Sequence, residues 1–264
     1  MKQLDLPYYD PEEHAFPVDR LNAVLERVRN DDRTQALVVA QNVNPVVRLR
    51  YNDHGTKHVE TVTTRAIELF DLLKAGDVSF NGAADHGLDE ADEPVIVALG
   101  AILHDVGHVV HRDRHTYYSI PLAMDRLETL LEGVYDPAEA MIVTGEVLHA
   151  ILCHHTEESP LTREAGVVRI ADALDMERGR SRVPYERGGR GINTISSRAI
   201  QTVNLRAGPD GPVQIEIEMT SAAGIYQVDE LLKSKVEDSR LAELIDIVAV
   251  MVDEEERLID RIEL

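Results

Sequence analysis

The chain has 264 residues, 44% of them hydrophobic, so it can bury a sizeable core; its formal net charge is −21, from 48 acidic and 27 basic groups. That balance disfavours broad nucleic-acid binding through a basic face, and no apolar stretch approaches the roughly 20 residues of a membrane span. A single cysteine, Cys153, excludes an intrachain disulfide and fits a reducing setting, and the N-terminal MKQLDLPYYDPEEHAFP lacks the apolar stretch of a signal peptide; the expected location is cytoplasmic.

Most of the first 175 residues read as helix. Pro17 opens VDRLNAVLERVR, with Leu21, Val24, Leu25 and Val28 at helical spacing, and TKHVETVTTRAIELFDLLKAG places Val59, Val62, Ala66, Leu69, Phe70 and Leu73 on one face before stopping near Gly76. Residues 77–92 are polar, acid-rich and glycine-containing, a surface loop. Asp92 reads as the N-cap of PVIVALGAILHDVG, which is apolar almost all round and therefore central. Further helices are expected over 115–132, 137–154 and 163–176, with start signals at Asp136-Pro137 and Thr162.

After residue 178 the character changes. RGRSRVPYERGGRGIN is rich in Arg and Gly, and AIQTVNLR and PVQIEIEM follow as two strands joined by AGPDG. Val213, Ile215, Ile217 and Met219 alternate with polar residues, as in a half-buried strand. Two closing helices are expected, around 226–235 and 238–262. The fold class is thus mainly α: a helical bundle core over residues 1–180, with a small α+β C-terminal appendage over 181–264.

Histidine and aspartate interrupt these apolar helices at several points. His58 lies in the first turns of one, His104 and Asp105 end the central one, His115 begins the next, His154 and His155 end another, and Asp172 lies within VVRIADALDM. Imidazole nitrogens with carboxylate oxygens make a borderline-hard donor set suited to Mn, Fe, Co, Ni, Zn or Mg, and a buried carboxylate needs a partner cation to stay ionised. Each residue also has a plainer reading: a histidine at a helix end can be a dipole contact, Asp172 can pair with Arg169, and Cys153 can be a packed core thiol.

The order His58, His104-Asp105, Asp172, with the contexts LHDVGH, ILCHH and RIADALD, resembles the HD superfamily of metal-dependent phosphohydrolases over roughly residues 45–180. The segment NPVVRLRYNDHGTKH is also similar to a group of archaeal HD proteins. The resemblance implies an HD-type bundle in which His58, His104, Asp105 and Asp172 ligate a divalent ion; His115, His154 and His155 are the matching candidates for a second. It departs from the cyclic-dinucleotide branch, which has a lysine where this chain has His108 and a GYP element absent here.

The implied activity is cleavage of a phosphoester or phosphoanhydride of a nucleotide or other small phosphorylated molecule by metal-activated water, with Asp105, His108 and His115 as catalytic candidates and His111 a further proton donor. Arg178, Arg180 and Arg182 after the Asp172 helix, and Arg48 and Arg50 before the His58 helix, are candidates to grip phosphate, and they compete for that role with pairing to surface carboxylates. The alternatives are a nucleotide-binding regulatory protein that keeps the metal site without turnover and, more distantly, a metal-dependent oxygenase. The pattern leaves a homo-oligomer open.

Only five of the basic residues are lysines, and the acidic groups are scattered along the chain. Such a surface repels itself in dilute buffer, where the screening length is about 10 Å at 0.1 M, and is relieved at about 3 Å in 1 M salt, which points to a salt-rich cytoplasm; the plainer reading is an acidic mesophilic enzyme. The expected outcome is a melting temperature that rises from low to molar KCl; a flat or falling trend would remove the salt-adapted reading.

Overall fold

The structure is a computed structural model that describes residues 3–177, 196–209 and 211–252 and the backbone of 261–263. Its centre is the all-apolar segment. Helix α5 (Glu93–Leu103) is buried on every side, and α1 (Asp19–Asn30), α3 (Thr56–Ala75), α7 (Pro137–Cys153) and α8 (Arg163–Leu174) pack around it. A helix with no polar face has no stable position other than the middle of a bundle. Helix α6 (His115–Leu131) lies against α7 and against a short 3₁₀ turn, Val106–Val109, that follows α5.

The expected start signals at Asp136 and Thr162 act as caps: Asp136 accepts from the backbone N–H of Ala138 and Glu139, and Thr162 accepts from Ala165. Asp92 also stands at the N-cap position, but its carboxylate is used elsewhere. One oxygen accepts from Asp89 N–H, and the other pairs with Arg20 in a contact that ties α1 to the start of the central helix. Three elements went unmarked in the sequence: α2 (Asp32–Ala40), a π-helical segment Val43–Arg48, and the short α4 (Asn81–His86) inside the polar loop. Among the described residues no helix is long and apolar enough to cross a membrane.

The C-terminal part forms a four-stranded sheet in the order β1 (Ile200–Arg206), β2 (Val213–Met219), β3 (Ile245–Met251), β4 (Arg261–Glu263). β1 and β2 are the expected antiparallel pair, and Val213, Ile215, Ile217 and Met219 are buried as their alternation requires. The helix expected over 238–262 is corrected: Ile245–Met251 is a strand, parallel to β2, with Ile215 opposite Ile247 and Ile217 opposite Ala249. IDIVAVM is too short and too evenly apolar to distinguish a helical from a strand period, and its β-branched residues satisfy the open edge of β2. A parallel pair needs a long crossover, which here carries a π-helical turn Gln227–Lys233 and helix α9 (Ser234–Glu237), within the stretch expected to be helical.

This crossover is fixed to α8. The guanidinium of Arg169 donates to the carbonyls of Cys153, His155 and Glu158 and to Asp238 Oδ2 at 2.8 Å, so it engages Asp238 rather than Asp172. At Gly166, an added Cβ would stand 2.0 Å from the carbonyl oxygen of Ser239. Only glycine allows this approach of the crossover to α8. Gly166→Ala is therefore expected to cost about 1–3 kcal/mol of stability through overpacking, measured as a lowered midpoint in urea unfolding; an unchanged midpoint would mean the two backbones do not meet.

Candidate metal centre

Helix α5 ends at Leu103, and the chain turns through His104 (φ −55°, ψ −39°) and Asp105 (φ −102°, ψ 0°) into the 3₁₀ turn. This turn brings two adjacent side chains into the middle of the bundle. Ser119 of α6 holds it there: its hydroxyl donates to His104 O and accepts from Gly107 N–H, both at 2.8 Å. Gly107 has no room for a side chain, since a Cβ would lie 2.0 Å from His115 O. The glycine of HDVGH is thus the residue that lets the start of α6, with His115, close on the turn.

Asp105 is buried, and its two oxygens face different groups. Oδ2 lies 3.4 Å from His58 Nε2, 3.3 Å from His104 Nε2 and 2.7 Å from His54 Nδ1. Oδ1 lies 3.4 Å from His108 Nε2, 3.3 Å from His115 Nε2 and 3.6 Å from His154 Nε2. Asp172 joins the first group, with Oδ1 at 3.5 Å from His58 Nε2 and 3.9 Å from His104 Nε2. Burial raises the Asp105 pKa, but the imidazoles of His104, His108 and His54 outweigh it and hold the carboxyl well below its ordinary range.

The imidazoles are aimed by what lies behind them. His104 Nδ1 donates to Ala101 O at 2.7 Å, His154 Nδ1 to Ile151 O at 2.7 Å, His115 Nδ1 to Arg112 O at 3.0 Å, and His58 Nδ1 to Asp175 Oδ2 at 2.5 Å. With the proton fixed on Nδ1, the neutral ring turns its Nε2 lone pair inward, the arrangement metal-ligating histidines use. Two such pairs meet: His58 and His104 Nε2 at 3.1 Å, and His115 and His154 Nε2 at 3.1 Å. Facing lone pairs repel unless a cation or a proton lies between them.

The protonation directions follow the same logic. Burial lowers His154 to about 3, whereas at His115 the hydrogen bond and charge of Asp105 overcome burial and raise the pKa. His108, stacked on His115 at 4.1 Å, is buried with no hydrogen-bond partner among the described residues on either ring nitrogen, and burial lowers its pKa. Converging nitrogen lone pairs, ionised carboxylate oxygens and an orphaned buried imidazole together fit a divalent ion of the borderline series.

Of the residues singled out in the sequence, the structure gathers His58, His104, Asp105, Asp172, His108, His115 and His154 around this centre, with His155 exposed at the rim of the same cleft. Arg50 and His111 are exposed and do not line the cleft, and Arg48 donates to Asn44 Oδ1 at 2.6 Å. Arg178, Arg180 and Arg182 lie outside the described residues. Cys153 is a buried thiol, pushed up to about 11 by burial.

Three contributors were missed. Asp175, whose Oδ2 accepts from His58 Nδ1, stood within RIADALD without being singled out. His54 stands in non-helical backbone fastened by Asn42 and Gln41, one turn's length before His58, and that spacing was its only signal. Lys235 Nζ lies 2.6 Å from Asp172 Oδ2, and nothing in the sequence joined residues 63 positions apart.

The HD domain family matches residues 57–177, the stretch from the start of α3 to just past α8. A protein of the archaeon Methanocaldococcus jannaschii described as uncharacterised is 35% identical over 226 residues, which cover 86% of this chain and 87% of the relative. HD domains bind divalent metals and are in general metal-dependent hydrolases. With the order His58, His104-Asp105, Asp172 folded onto one carboxylate, and with the match extending over most of an archaeal relative, the chain belongs to the HD-domain family.

Proposed function

We propose that the protein is a phosphohydrolase that cleaves a phosphoester or phosphoanhydride in a small phosphorylated molecule, a nucleotide foremost. The observation that carries this reading is Asp105, whose two oxygens face two separate groups of imidazole nitrogens in a buried centre. On this reading His58, His104, Asp105 and Asp172 hold one divalent ion, and Asp105 with His115 and His154 holds a second. A divalent ion in such a site acidifies water and polarises a phosphoryl oxygen.

The chain's own groups do the rest. The backbone carbonyls and Asp175 behind the rings keep each Nε2 pointed inward, and burial keeps bulk water from competing for Asp105. His108, kept neutral by burial and not spent on a hydrogen bond, is the base available to accept a proton beside Asp105. The cleft over the centre is about 690 Å³, a size that suits a nucleotide-like ligand.

Asp105→Ala is expected to purify with little metal and to lose turnover on a nucleotide and phosphoester panel with Mn²⁺, Mg²⁺, Co²⁺ and Ni²⁺, while its circular dichroism stays helical because α5 keeps its apolar packing. Full metal occupancy with wild-type turnover would refute the reading, and metal binding without turnover in the wild type would favour a regulatory protein. Asp175→Ala removes the carboxylate that orients His58; metal affinity in a chelator competition should fall by about 10–100-fold with every ligand still present. An affinity equal to wild type would show that His58 needs no such orientation.

A further inference from the structure

Lys235 is one of five lysines in the chain, and it is only 9% exposed. A lysine is seldom buried unless its charge is paired, because its ammonium is costly to remove from water. Its partner is a carboxylate of the centre itself. Asp172 turns Oδ1 toward His58 and His104 and gives Oδ2 to Lys235 Nζ at 2.6 Å, so the lysine reaches the carboxylate from the side away from the imidazole pair. It comes from α9, in the crossover between β2 and β3, entirely outside the residues matched by the HD family.

The same crossover forms one wall of the cleft. Gln227, Glu230, Leu231, Ser234 and Lys235 face the side built from His54, Asp105, His108 and His115. The cleft is acidic, with Asp105, Asp113, Glu157, Asp172, Asp175 and Glu230 along it, and an anionic substrate entering it needs a cation to meet. Among the described residues three cations line it. Arg112 lies over the ring of Tyr51 at 4.0 Å, Arg114 is exposed at the start of α6, and Lys235 alone touches a carboxylate of the centre. An ammonium carries three donors, of which Asp172 Oδ2 engages one in a residue that lines the cleft.

We infer that Lys235 is the phosphate-binding cation of this site, spanning Asp172 and an oxygen of the substrate's phosphoryl group, so that the C-terminal crossover completes a centre whose other side chains come from the HD bundle. This rests on the phosphohydrolase reading and adds to it the residue that recognises the anion. The attachment of the crossover to α8, through Arg169 to Asp238 and Gly166 against Ser239, holds the lysine in place.

The test uses the full chain loaded with Mn²⁺, with inorganic phosphate as the probe in calorimetric titration and elemental analysis for bound metal. Lys235→Gln keeps a donor for Asp172 and removes the charge; Lys235→Arg keeps the charge. In Lys235→Gln, bound metal should equal wild type while phosphate affinity falls roughly tenfold or more, the loss of one charge-assisted hydrogen bond. Lys235→Arg should recover part of that loss. Unchanged phosphate affinity in Lys235→Gln overturns the inference and leaves the phosphohydrolase reading intact. A fall in bound metal in Lys235→Gln, with circular dichroism unchanged, also overturns it and makes Lys235 a positioning residue for Asp172. A wild-type protein that binds no metal and turns over no phosphoester defeats the underlying reading, and the inference with it.

Discussion

A carboxylate buried in the middle of an apolar helical bundle is the constraint around which this protein is arranged. Asp105 follows a helix with no polar face, and an ionised carboxylate there would cost several kcal/mol if left alone. Six imidazoles present ring nitrogens within 2.7–3.6 Å of its two oxygens. Four backbone or carboxylate acceptors orient those rings: carbonyls of α5 and α7 behind His104 and His154, Arg112 O behind His115, and Asp175 behind His58. The placement of these elements is therefore set jointly by apolar packing and by the need to surround one charge.

Two glycines carry this demand into the backbone. Gly107 lets α6 press against the turn after α5, stacking His115 on His108, and Gly166 lets the crossover press against α8. In each case a Cβ would meet a carbonyl oxygen at 2.0 Å, far inside any tolerable contact. The close approaches lie on either side of the centre, one bringing imidazoles to Asp105 and the other bringing an ammonium to Asp172. Packing density and charge placement are the same problem here.

The distribution of charge has a functional reading as well. A surface with a net charge of −21 repels anions at long range, so an anionic ligand must be recognised locally, in a cleft where a few cations act at short distance. The scarcity of lysine makes each buried one informative. Lys74 is paired with buried Glu93 at 3.2 Å, and Lys235 with Asp172 at 2.6 Å. The first neutralises a carboxylate between helices; the second does so in the lining of a cleft.

Much of this was legible in the residues alone. The apolar faces of α3 and α5, the caps Asp136 and Thr162, and the ordered His58, His104-Asp105 and Asp172 are local patterns, and local patterns follow from helical period, capping chemistry and side-chain type. The strand at Ile245–Met251 was not legible, because a short apolar run takes its conformation from the edge it pairs with, and that edge is supplied by β2. Nor were the bond from His54 to Asp105 and the ion pair from Lys235 to Asp172, which join residues 51 and 63 positions apart. The sequence by itself determined the main helices α1, α3, α5, α6, α7 and α8 and the ordered ligand candidates His58, His104, Asp105 and Asp172. Only the tertiary structure decided which oxygen of Asp105 faces which imidazoles and which lysine reaches the centre, because those contacts depend on how separate elements pack and on no period within any of them.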